Sequence, residues 1–212
     1  MKGADYFLAA VPEPVTLLGL RLRPFSLGHV VLLNRIESAF VLGGQPDFND
    51  LAASVFICSQ TYSDGLASFD NPELPRFMAE WAAKLMGVSW LTRLGLKNPK
   101  IIDFPAKCAE FAKYIEDGSR MPTYDYNPEE VRSMECTGIQ LVKTTLLSEM
   151  NFTEAELLDR PWGLCLWDYV TLKAIKGQVR IWEKDTIADA QKFANELAAK
   201  LNARKAGVNG AA

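Results

Sequence analysis

The sequence holds one histidine, His29, in 212 residues. Common zinc sites draw on several His and Cys side chains, so a lone His leaves little to build one from. The four cysteines, Cys58, Cys108, Cys136 and Cys165, lie too far apart for a CxxC pair. Each falls in an apolar helical pattern and reads as a buried free thiol that packs like a small hydrophobe. The glycine-rich phosphate cradles GxGxxG and GxxxxGKS/T are missing, and so is the GxSxG nucleophile turn. Their absence argues against the common nucleotide-binding and hydrolase classes. Charge of one sign is also missing: 23 basic residues face 26 acidic ones, for a net charge of -3. A nucleic-acid binder usually shows a basic excess or a basic face, so none is expected here. No apolar run approaches the roughly 20 residues that span a bilayer. After Met1–Tyr6 the chain meets Pro12, Glu13 and Pro14, which interrupt the apolar run a signal peptide requires. The expected location is therefore the cytoplasm, with no membrane partner.

What is present is ordinary core-forming material: 49% hydrophobic and 23% charged residues, a globular balance and not a disordered one. Leu18, Leu20 and Leu22 alternate with Gly19, Arg21 and Arg23, which predicts a short strand stopped by Pro24. Ser26 is placed as the N-cap of a helix to about Glu37, and Leu42–Pro46 reads as a turn. A second helix is expected from Asp47 to Tyr62. A third starts from Asn71 as cap and Pro72 at the first helical position, with Leu74, Phe77, Met78, Trp81, Leu85 and Val88 on one face. A fourth covers Asp103–Glu116. A polar stretch, 119–128, follows as the one long internal loop. A fifth helix begins at Asn127–Glu130, breaks near Gly138 and resumes to Met150. Thr153–Glu156 forms a capping box for a short sixth. Pro161 starts a seventh, apolar on almost every face and expected to be the most buried element. Residues Gln178–Trp182 read equally as a strand or as continuing helix. A last helix is expected over Thr186–Arg204.

These elements describe a mainly α protein, an irregular bundle of about seven or eight helices. A short β-ribbon joins them if Leu17–Arg23 pairs with Val179–Trp182. Residues 1–205 are expected to form a single helical domain, divisible near 118–127, and 206–212 a disordered tail.

Chemistry is hard to find. His29 would need an oriented partner and a nucleophile to act as a general base, and nothing in the sequence nominates either. A structural role is expected for it. The carboxylate pairs Glu129–Glu130 and Asp185/Asp189 read as a helix start and a solvated face. No catalytic, cofactor-binding or metal residues are assigned, and no cofactor is expected.

Two features point to binding instead. In the loop from Arg120 to Tyr126, Tyr124 and Tyr126 flank Asp125. Tyrosine brings large contact area at little entropic cost, so these residues either meet a partner or pack back onto the helices. In the last helix, Ile187, Ala190, Ala194, Leu197 and Leu201 form a narrow apolar seam, with Asp189–Lys192 and Glu196–Lys200 able to pair outside it. That seam either packs on its own domain or docks a partner helix. It is too short to argue a coiled coil.

The stretch Leu20–His29, with Asp50–Ala52 and Val55–Ser59, resembles proteins encoded in bacteriophage tail modules. Arg160–Trp162, Trp167–Tyr169 and Gly177–Val179 are similar to the far end of such proteins, so the likeness spans about residues 15–182. These proteins precede the tape-measure protein and are taken as tail assembly chaperones. The resemblance implies a small, helical, non-enzymatic protein of a phage or prophage, acting in the bacterial host cytoplasm. Its implied partners are phage tail proteins, the tape-measure chain first, with self-association left open. It carries no active residues onto this chain. A structural tail or adaptor component is the second reading, and an enzyme of an unfamiliar helical kind the third.

Overall fold

In the computed structural model, which describes residues 13–85, 103–126 and 137–181, the first described segment turns back on itself. Strand β1 (Thr16–Leu17) pairs antiparallel with β2 (Leu20–Arg21) through the two-residue turn Leu18–Gly19. Both turn residues have positive φ, 50° at Leu18 and 81° at Gly19. That is the geometry whose twist suits a tight hairpin, and Gly19 adopts it without strain. The expected single strand over Leu17–Arg23 is thus two strands. The alternation breaks at the turn, which buries Leu17, Leu18 and Leu22 together.

Nine helices follow among the described residues. They are α1 (Leu27–Arg35), α2 (Ala39–Leu42), α3 (Phe48–Cys58), α4 (Tyr62–Ser68) and α5 (Leu74–Leu85). Then come α6 (Phe104–Gly118), α7 (Gly138–Met150), α8 (Glu154–Asp159) and α9 (Trp162–Ile175). The protein is mainly α, as its periodicity predicts, with more and shorter helices than expected. One extra helix is α2, capped by Ser38, in the stretch between the expected first helix and the expected turn. The other arises because the expected Asp47–Tyr62 helix ends at Cys58. Thr61 then caps α4, its side chain accepting from the Asp64 amide. The apolar stripe runs on across the break, so periodicity alone does not reveal it.

The described residues fall into two compact units. The larger holds 13–85, 103–121 and 137–169; the smaller holds 122–126 and 170–181. In the larger unit, α1 is the hub. It packs on α2, α3, α4 and α8, while α3 also meets α5 and α6. Leu27, Leu32, Leu33, Leu51, Val55 and Phe111 are almost wholly shielded from solvent. Each such side chain contributes about 1.5–3 kcal/mol of transfer free energy. Gly28 makes this approach possible. A Cβ there would stand 2.7 Å from the Leu158 carbonyl oxygen and 2.7 Å from Tyr62 Cβ. The most buried described helix is therefore α1 and not α9, whose Ile175 is 77% exposed.

In the smaller unit, β3 (Tyr124–Tyr126) pairs antiparallel with β4 (Val179–Ile181), Tyr124 opposite Ile181 and Tyr126 opposite Val179. This corrects two expectations. The 119–128 stretch contains a strand where a loop was expected, and residues 179–181 pair with it and not with the N-terminal hairpin. The strand Val179–Ile181 is itself a strand and not a helical continuation.

Candidate functional site

Helix α5 presents a partly exposed apolar face in the larger unit. Asn71 starts it: its Oδ1 accepts from the Glu73 amide at 2.9 Å, and its carbonyl accepts from the Leu74 amide at 3.1 Å. The regular helix begins two residues later than the expected start at Pro72. Leu74, Phe77, Met78, Trp81 and Leu85 line one side. Arg76 pairs with Glu80 at 3.0 Å and with Glu73 at 3.9 Å on the other. The spacing predicts that these residues share one face. No described α5 side chain is fully buried, and Phe77 is 46% exposed. Trp81 and Leu85 pack on the margin of the core, and Phe77 meets the half-buried Phe56 of α3 with ring centroids 5.4 Å apart. Leu74, Met78, Phe77 and Phe56 therefore form a half-covered strip of aromatic, leucine and methionine side chains. The sequence held no signal for this, because amphipathicity reports that a face is apolar and not what covers it.

A cleft of about 450 Å³ lies beside α6, floored by Val15, Phe25 and Tyr114 and rimmed by Glu110, Asp117 and Arg120. Its polar groups are largely held by the chain itself. Lys107 pairs with Glu110 at 2.7 Å, Arg120 with Asp117 at 2.5 Å, and the Tyr114 hydroxyl donates to the Arg23 carbonyl at 2.8 Å. Burial pushes the Tyr114 phenol well above its usual range.

Arg120 belongs to the larger unit and is ion-paired with Asp117. Tyr124, Asp125 and Tyr126 belong to the smaller unit, with their backbone in β3. The C-terminal seam, Ile187, Ala190, Ala194, Leu197 and Leu201, lies outside the described residues, as do Val88, Cys136, Glu129, Glu130, Asp185 and Asp189.

His29 is 1% exposed and fully engaged. The Ser26 amide donates to its Nδ1 at 3.1 Å, the His29 amide donates to Ser26 Oγ at 3.2 Å, and Nε2 lies 2.9 Å from the Gln60 carbonyl oxygen. A backbone N–H can donate only to an unprotonated nitrogen, so Nδ1 is bare and Nε2–H donates to Gln60. This is a capping box with histidine in place of the usual Glu or Gln. Burial lowers the ring's pKa and keeps it neutral. Cys58 and Cys165 are buried as expected. Burial raises both thiols, that of Cys165 to about 12, which leaves them inert. Cys108 departs from the expectation and is only partly covered. Among the described residues, no three His, Cys, Asp or Glu side chains are grouped to hold a metal ion, and no helix is long and apolar enough to cross a membrane.

Compared with known proteins, the chain matches no family model, no curated sequence and no solved structure.

Proposed function

We propose that this protein is a non-enzymatic tail assembly chaperone of a phage or prophage, which shields the helical tape-measure chain in the host cytoplasm before the tail tube forms around it. The observation that carries this reading is the half-covered strip on α5 and α3, Phe56, Leu74, Phe77 and Met78. A chaperone for a long, repetitive apolar helix needs a surface that repacks against many similar registers. Aromatic and methionine side chains supply it: they are enriched at interfaces, and the flexible thioether adapts its shape. The likeness of Leu20–His29 and Arg160–Trp162 to phage tail-module proteins points the same way.

The test is co-expression with the tape-measure chain, followed by affinity capture. The native protein is expected to hold that chain in soluble form. Phe77→Lys places a charge in the strip at a position that contributes little to the core, so it is expected to weaken capture at least tenfold while the thermal melt barely moves. Equal capture by the variant would remove α5 from the interface. Stoichiometric presence of the protein in finished particles would overturn the chaperone reading in favour of a structural tail component.

A further inference from the structure

His29 sits where three parts of the larger unit meet. Its capping box fixes the backbone at Ser26, and Ser26 forms a bridge with Pro161. On either side, the Leu27 amide donates to the Arg160 carbonyl at 3.2 Å and the Trp162 amide donates to the Phe25 carbonyl at 2.7 Å. The start of α1 is thus sewn to the corner between α8 and α9 by bonds that depend on the position of residues 25–27. Nε2 ties the same ring to Gln60, between α3 and α4. The corner is held a second time by Asp159, whose Oδ1 accepts from the Tyr62 amide at 2.9 Å.

Neutrality of the ring is a requirement of this arrangement. A protonated imidazole has two N–H donors and no acceptor. Its Nδ1–H would then face the Ser26 N–H, donor against donor, at a position shielded from bulk solvent. The charged groups facing the ring are Asp159 from the end of α8, which favours the cation, and Arg23 from the segment before α1, which opposes it. The carbonyls of Gln60 and Pro24 also favour the cation, and burial outweighs all three favourable influences.

We infer that the His29 capping box is an acid-sensitive latch: protonation of the ring breaks the Ser26 N–H to Nδ1 bond and releases the α8–α9 corner from the start of α1. Release uncovers Leu27, Leu157 and Leu158, which are otherwise buried. The sign follows from linkage. The released state binds the proton with an ordinary affinity, near pH 6.5, and the closed state binds it more weakly. Closure is therefore undiminished above pH 6.5 and weakens as pH falls below it, by up to tenfold per pH unit, until the closed-state pKa is reached.

Native-state hydrogen exchange by NMR reads the latch directly. After correction for intrinsic rates, protection of the Leu27 and Trp162 amides is expected to fall several-fold to tenfold between pH 7.5 and pH 5.5. Protection in the middle of α3, at Val55, is expected to stay constant. His29→Gln keeps a capping-box acceptor without a titrating group, and its Leu27 and Trp162 protection is expected to be flat over that range. Because His29 is the one histidine in the chain, its ring signals are unambiguous in the native protein even if the variant folds poorly. They are expected to show a bare Nδ1 at pH 7.5 and a midpoint below 6.5. A midpoint at or above 6.5, equal acid sensitivity in His29→Gln, or a loss of protection at Val55 equal to that at Trp162 would each overturn the latch.

Discussion

Gly28 carries more of the packing than its size suggests. It stands on the helix that meets four others, at the point where the backbone of Leu158 comes within reach. Gly28→Ala puts a methyl group 2.7 Å from that carbonyl oxygen, and a backbone atom of this kind cannot rotate aside as a side-chain tip can. Helix propensity works the other way, since alanine is better than glycine in a helix by about 1 kcal/mol. Overpacking costs about 1–3 kcal/mol, so the net outcome is destabilisation. A denaturant titration of the variant is expected to show an earlier midpoint. An unchanged or later midpoint would mean that α8 yields at Leu158. His29 and Gly28 are adjacent in the sequence, and both look like neutral positions of a helix start there. Their roles come from partners more than a hundred residues away in one case and at Gln60 in the other, so the sequence could support a structural role for His29 and could not name its bonds.

At the level of elements, the helix starts were the most legible feature, because caps are local chemistry. Ser26 and Thr153 each accept a backbone amide at a helix start, as their positions predict, and Asp103 does the same at the start of α6. The Thr153 box is complete: its hydroxyl oxygen accepts from the Glu156 amide, and Glu156 accepts from the Thr153 amide at 2.9 Å. The Thr153 hydroxyl also donates to the Glu156 carboxylate at 2.7 Å, and that bond, with the one from the Thr153 amide, holds the carboxyl below its ordinary range. Thr153→Ala is expected to cost about 1 kcal/mol, read as a shift in chemical denaturation at neutral pH. A lowered carboxyl pKa stabilises above the unfolded value, and the contribution is lost as pH falls through the folded one. The difference between the variant and the native protein is therefore expected to shrink in acid; a constant difference would mean that the carboxylate takes no part. The ends and pairings of elements were less legible. The break between α3 and α4 is invisible to a stripe that continues through it. The partner of Val179–Ile181 is Tyr124–Tyr126, a pairing that no local pattern encodes. The candidate site was the least legible part, because the exposed α5 strip carries the same periodicity as a core helix.

On the scale of the whole molecule, sequence neighbours and spatial neighbours differ. The first helix is completed by α8 and by the beginning of α9, through Leu158, Arg160 and Trp162. A chain ended at Asn151 keeps α1 to α7 and loses those partners. It leaves the apolar side of α1 open where α8 packs, and it removes Leu157, which is fully buried. Truncating an interface of fully buried leucines costs several kcal/mol, comparable to the whole stability of a domain. The truncated chain is expected to lose cooperative thermal unfolding, as followed by circular dichroism. A sharp transition near that of the full chain would show that α1 to α7 fold without α8 and α9.

The hydrogen bonds from Leu27 to Arg160 and from Trp162 to Phe25 also set a timetable. Synthesis runs in one direction, so the ribosome delivers Ser26 well before Arg160 exists. Through that interval the Leu27 amide and the Phe25 carbonyl lack their later partners, and the leucines of α1 lack the surface of α8 that later covers them. Closing so distant a contact is slow as well, because chain entropy opposes it before any packing rewards it. The start of α1 therefore stays incomplete on the nascent chain, and the wait ends when translation reaches Trp162.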